Sequence, residues 1–200
     1  MKSESIAFAV AGLLFGLIAG WIIGSQQTTL RQPPQAARQA EQAPAAVAPV
    51  LDEAKVKAFS SVAEREPANA APRVQLGNLY FDAERYDDAI RWYTEALKLT
   101  PKDVDVSTDL GVSYYYTNQP DRALAQLERS LELDPRHAKT ILNVGIVKAF
   151  GKQDLEGAEQ AWEQVIAIAP GSAEGQAAKR ALDSLRSAHP GTGSAQKPGA

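Results

Sequence analysis

Four prolines, Pro67, Pro101, Pro135 and Pro170, recur at intervals of 34, 34 and 35 residues, and this period constrains the fold more than any other feature. Ten residues after each of the first three stands a glycine, Gly77, Gly111 and Gly145, preceded in turn by Leu76, Leu110 and Val144. Small residues return at Ala89, Ala123 and Ala158, and bulky ones four positions later at Tyr93, Leu127 and Trp162. Several independent columns share one period. A repeat of this length is one supersecondary unit, which buries its apolar face only by stacking on its neighbours.

Within each unit the residues suggest two antiparallel helices joined by a short turn. Asp87, Asp121 and Asp154 stand where a second helix would begin, and Asp103 where a first helix would, positions at which a carboxylate can cap free N–H groups. The prolines end one helix and let the next start at an angle. Glycine and alanine at facing positions allow close approach, while Tyr93, Leu127 and Trp162 fill the space beside them. These signals predict a repeat domain over 51–187. It comprises a single helix at 51–66 with Phe59 in the bulky column, full units at 70–101, 104–135 and 138–170, and a closing helix at 172–187 capped by Ser172. The closing helix carries Glu174, Lys179, Arg180 and Arg186, as a solubilising end requires. The third unit departs from the others: Lys148 stands where Tyr80 and Tyr114 stand, and one extra residue precedes Ala158.

The segments QLGNLYFDAERYDDAIRWYTEALKLTP and DLGVSYYYTNQPDRALAQLERSLELDP resemble the tetratricopeptide-repeat (TPR) family. The resemblance rests on Leu76-Gly77 and Leu110-Gly111, on Tyr80 and Tyr114, on Ala89 and Ala123, and on Tyr93 and Leu127. Ala96 and Ser130, with Pro101 and Pro135, complete it. It covers roughly 52–187 and implies an all-α solenoid of antiparallel helix pairs whose first helices line a concave face. It further implies that Val74, Asn78, Phe81, Thr108, Val112, Tyr115, Lys139, Leu142, Ile146 and Phe150 contact a partner there. One subgroup of the family grips a terminal carboxylate with a Lys/Asn/Lys/Arg clamp. Only Asn78 and Lys139 match it, while Val74, Asp109 and Asn143 hold the other places. That departure argues against capture of a chaperone's tail.

The amino-terminal region is of another kind. Residues 6–23, IAFAVAGLLFGLIAGWII, contain no charge and would span roughly 27 Å as a helix, close to the apolar thickness of a bilayer. Residues 1–24 therefore predict one transmembrane anchor, with Trp21 at headgroup level. A cleaved signal peptide is the rival, but Trp21, Ile22 and Ile23 occupy the place of its small-residue cleavage site. Gly12, Gly16, Gly20 and Gly24 share one side of that helix and would let a second helix approach closely, which suggests a homo-oligomer through the membrane segment. Pro33, Pro34, Pro44 and Pro49 among Gln and Ala predict a disordered linker over 25–50, and 188–200 a disordered tail.

Composition removes several classes of function. The chain has no cysteine, so disulfides and thiolate chemistry are out. Residues 51–190 hold 17 Lys/Arg against 22 Asp/Glu with no cationic stripe, which argues against nucleic acid. His137 and His189 stand apart from any ligand pattern, and no nucleophile or phosphate-loop motif occurs. No enzyme activity, cofactor or metal is expected. The expectation is a scaffold on a bacterial-type inner membrane, with its repeats on the periplasmic side, binding a protein segment in envelope assembly or cytochrome c maturation. The alternatives are a self-associating membrane protein and, with the N-terminus cleaved, a secreted chaperone.

Overall fold

The computed structural model describes residues 50–189. The anchor at 6–23, its four glycines, residues 25–49 of the linker and residues 190–200 of the tail lie outside that range. Among the described residues no helix is long and apolar enough to cross a membrane.

Eight helices follow one another, with no strand among the described residues. Helix α1 is Glu53–Arg65. Repeat 1 is α2, Ala71–Asp82, with α3, Tyr86–Leu99. Repeat 2 is α4, Val104–Tyr116, with α5, Pro120–Leu133. Repeat 3 is α6, Ala138–Ile146, running into a π-helical turn at Val147–Gly151, with α7, Leu155–Ile168. Helix α8, Ala173–Ala188, closes the stack. Consecutive helices pack together, and the first helices also touch one another, α4 with α6 and α6 with α8. This is an all-α solenoid of helix pairs.

The periodic residues hold the pairs shut. Tyr93, Leu127 and Trp162 are almost wholly buried, each against the glycine of its own repeat. A methyl group at Gly77 would enter the Tyr93 ring, and one at Gly145 would strike the Trp162 indole, whose Nε1 donates to the Leu142 carbonyl at 3.3 Å. A methyl group at Gly111 would sit 2.9 Å from the nearest Leu127 carbons. Glycine is required here for close approach, since each large side chain rests directly on the opposing backbone. Burying such side chains contributes roughly 1.5–3 kcal/mol apiece. One apolar cluster spans repeats 1 and 2 and takes in Val147 of the π-turn, and a second joins repeat 3 to α8 through Trp162, Val165, Ala178 and Leu182.

The turns reveal how the third repeat absorbs its extra residue. Glu84 and Asn118 adopt left-handed backbones, φ 57° and 59°, and the next N–H reaches back to close the helix end: Arg85 to the Tyr80 carbonyl and Gln119 to the Tyr114 carbonyl. This is a helix terminator that ordinarily favours glycine or asparagine. In repeat 3 the left-handed residue is Gln153, φ 57°, but Asp154 reaches Lys148, one residue further back. The inserted residue therefore widens the last turn of the first helix into the π-turn.

The capping expectations need one correction. Asp103, Asp154 and Ser172 are side-chain caps, accepting from the N–H groups of Val106, Gly157 and Gly175 at 2.9–3.0 Å. Asp87 and Asp121 are not: α3 and α5 begin earlier, after Arg85 and Gln119, so both carboxylates fall in the first turn. There they favour the helix through its dipole alone.

Candidate partner-binding face

The first helices α2, α4 and α6 carry all ten residues expected to meet a partner, apart from Phe150 in the π-turn. Val74, Phe81, Val112, Tyr115, Leu142 and Ile146 are half-buried. Val74, Phe81 and Tyr115 lean on the first apolar cluster, Leu142 and Ile146 on the second. Phe150 is 61% exposed, because the π-turn turns it outward while its neighbour Ala149 stays in the core.

Thr108 does not belong to this face. It is fully buried, its hydroxyl donating to the Val104 carbonyl at 2.7 Å and meeting the Thr140 hydroxyl at 2.6 Å. A short side chain at the point where α4 meets α6 is enclosed by that contact, so Thr108 ties repeat 2 to repeat 3. His137 joins the same link between the repeats: its Nδ1 lies 2.6 Å from the Thr140 hydroxyl and its Nε2 3.4 Å from Asp105.

The polar residues of the face are already partnered. Asn78 accepts from the Tyr93 hydroxyl at 2.9 Å, so it is locked to the second helix of its own repeat. The Lys139 ammonium lies 2.7 Å from Asp109, and Asn143 donates to the Lys139 carbonyl at 2.8 Å. Burial pushes the Asp109 carboxyl up, opposed by Lys139; burial raises the Tyr93 phenol too, aided by Asp109 and Asp82. An anion entering here would find Lys139 neutralised and a carboxylate beside it.

A further feature escaped the sequence. The rings of Tyr86 and Tyr116 stack at 4.5 Å with 9° between their planes, and Phe81 meets both edge-on at 5.3 and 5.8 Å. Beside them opens a notch of about 600 Å³ lined by Glu84, Tyr86, Asp87, Tyr116 and Asn118 among others. Burial, then Tyr116 and Glu84, push the Tyr86 phenol up to about 12. The run Tyr114–Tyr116 was the only sequence signal, and helix periodicity sends just one of its rings, Tyr114, into the core.

Comparison with known proteins bears on this geometry. Residues 77–118 match the family profile described as TPR repeat, and residues 108–173 the one described as Tetratricopeptide repeat. Hsp70-Hsp90 organizing protein 2 of Arabidopsis thaliana is 34% identical over 79 residues, 40% of this chain and 14% of that protein. BBSome complex member BBS4 of Bos taurus is 31% identical over 119 residues, 60% of this chain and 22% of that protein. This chain thus spans less than a quarter of the length of either relative. Among solved structures, MamA aligns with a TM-score of 0.59 and 22% identity, over 66% of this chain and 75% of MamA. The first TPR of Spaghetti (RPAP3) bound to the HSP90 peptide SRMEEVD aligns with a TM-score of 0.54 and 25% identity, over 60% of this chain and 91% of that one.

Proposed function

We propose, for a chain built on tetratricopeptide repeats, that it is a protein-interaction adaptor whose first helices receive an apolar or amphipathic segment of a partner. The observation that carries this is the row of half-buried Val74, Phe81, Val112, Tyr115, Leu142 and Ile146, ending at the exposed Phe150. Apolar side chains left partly open along one face are the usual material of a helix-in-groove interface. The similarity to a repeat domain holding a peptide supports the same mode of action. No catalytic role is assigned to any residue. The decisive experiment is replacement of Phe81 and Tyr115 together by Ala in the full-length chain. Binding of fluorescent amphipathic peptides should weaken while the thermal midpoint stays well above ambient. Unfolding at ambient temperature would place both residues in the core and end the reading.

Membrane anchoring belongs to the same proposal. The uncharged stretch at 6–23 would hold the adaptor at a bacterial inner membrane, the repeats on the periplasmic side, in envelope protein assembly or cytochrome c maturation. Extraction of the full-length protein from membranes by alkaline carbonate would contradict the anchor, and N-terminal sequencing would detect cleavage. The glycine series Gly12, Gly16, Gly20 and Gly24 favours a second reading, self-association through the anchor. Crosslinking of the full-length protein, but not of a form lacking residues 1–24, would support it.

A further inference from the structure

We infer that the notch beside Phe81 takes a guanidinium from the partner segment, so that the adaptor selects basic amphipathic segments over acid-ended ones. This rests on the groove proposed above and adds a charge preference to it. Phe81 is the joint between the two features. It lies on the first-helix face, and its ring also forms edge-on contacts with the Tyr86–Tyr116 stack that walls the notch.

Three residues of the notch are peculiar to this repeat boundary. Glu84 holds the left-handed turn position that is Asn118 in repeat 2 and Gln153 in repeat 3. Tyr86 corresponds to Pro120 and Leu155, each the first residue of its second helix. Tyr116 corresponds by the period to Asp82 and Phe150. Asp87, by contrast, has acidic counterparts in Asp121 and Glu156 and would be expected in the first turn of any such helix. The repeat pattern thus explains Asp87 but neither the extra carboxylate nor the paired rings.

The charges leave room for a cation. Arg85, the one cationic residue of the lining, is 2.6 Å from Asp88 and lies over the Tyr80 ring, which removes it from Glu84 and Asp87. Those two carboxylates have no counter-ion among the described residues. A guanidinium is the cation best matched to carboxylates beside aromatic rings, because it stacks flat and directs its donors in the plane. The described residues already place a guanidinium over a ring three times, once as Arg91 over Trp92 at 5.1 Å and twice over tyrosines. Arg85 sits 4.9 Å from the centre of Tyr80, and Arg122 sits 4.1 Å from Tyr114 while donating to its hydroxyl at 2.9 Å. A partner ending in carboxylates, like the HSP90 peptide held by the similar domain, would instead meet like charge here and a neutralised Lys139 in the groove.

Two probes test this on the full-length chain. N-acetyl-arginine methylamide, titrated against isotope-labelled protein, should shift the amide signals of Glu84, Tyr86 and Tyr116, and not those of the same positions in Glu84→Gln/Asp87→Asn. A leucine-alanine amphipathic peptide bearing one arginine should bind at least fivefold tighter than its glutamate twin, and the difference should vanish in that double variant. Equal affinities, or absence of shifts at the notch, overturn the inference and leave the groove intact. Failure of both peptides to bind, with the arginine derivative still shifting the notch, would overturn the groove instead. The double variant changes two exposed side chains and removes the favourable charge of Asp87 from the first turn of α3, so a melting midpoint lowered by about a few degrees at most is expected and verifies its fold.

Discussion

Thr108 and Thr140, 32 residues apart, hold their hydroxyl oxygens 2.6 Å from each other in a fully buried site between repeats 2 and 3. Thr108 gives its proton to the Val104 carbonyl, and its oxygen and Nδ1 of His137 both lie 2.6 Å from the Thr140 hydroxyl. One polar chain thus joins α4 to α6, beside the Asp109–Lys139 ion pair that crosses the same boundary.

Thr140→Val should destabilise the chain by about 1–3 kcal/mol, removing the buried bonds that its hydroxyl makes with Thr108 and with Nδ1 of His137. Thr108→Val/Thr140→Val should cost less than the two single changes added, with a coupling of about 0.5–3 kcal/mol. Urea unfolding of the four proteins measures this directly. Strict additivity would mean that the hydroxyls do not bond.

The glycines should rank by the stiffness of what they face. Gly77→Ala and Gly145→Ala drive a methyl into the rings of Tyr93 and Trp162, which cannot yield, and should cost about 1–3 kcal/mol despite the better helix propensity of alanine. Gly111→Ala meets Cδ2 and Cγ of Leu127 at 2.9 Å and the Ala123 carbonyl at 3.3 Å, a looser fit than either ring leaves, and should cost least. Chemical denaturation of the three variants gives the order, and a larger loss at Gly111 would contradict the packing described.

Removal of Phe150 tests the π-turn. The deletion returns repeat 3 to the length of the other two and should restore an ordinary helix end, keeping helix content by circular dichroism and the unfolding midpoint. Affinity for an apolar peptide should fall as far as it does in Phe150→Ala. A deletion that unfolds the domain would show that the wider turn is needed for packing rather than for presenting the ring.

Asp109 supplies a pH signature. Its folded-state carboxyl titrates above the ordinary value, first because of burial and in spite of Lys139. A raised carboxyl favours the folded state when protonated, so its contribution is fully present below the unfolded value near 3.8 and is lost as pH rises through the folded one. The stability of the natural protein minus that of Asp109→Asn should consequently grow as pH is lowered from neutrality into the acid range. Denaturant titrations of both proteins at several pH values will show it, and a difference that shrinks on acidification would reverse the assignment.

The sequence alone determined the helix pairs, because the spacing of Pro67, Pro101 and Pro135 and the matching of Gly77 with Tyr93 or Gly145 with Trp162 are one-dimensional records of close packing. It also located the true caps Asp103, Asp154 and Ser172, since a cap acts within three residues of itself. The tertiary structure alone decided that Thr108 is internal, that Lys139 is spent on Asp109, and that Tyr86 stacks on Tyr116. Each of these joins residues about 30 apart, across a repeat boundary whose crossing angle no local pattern encodes. The extra residue of repeat 3 was visible in the spacing, but only the backbone could place it. A helix can absorb an insertion as a loop or as a wider turn, and the hydrogen bond from Asp154 to Lys148 selects the turn.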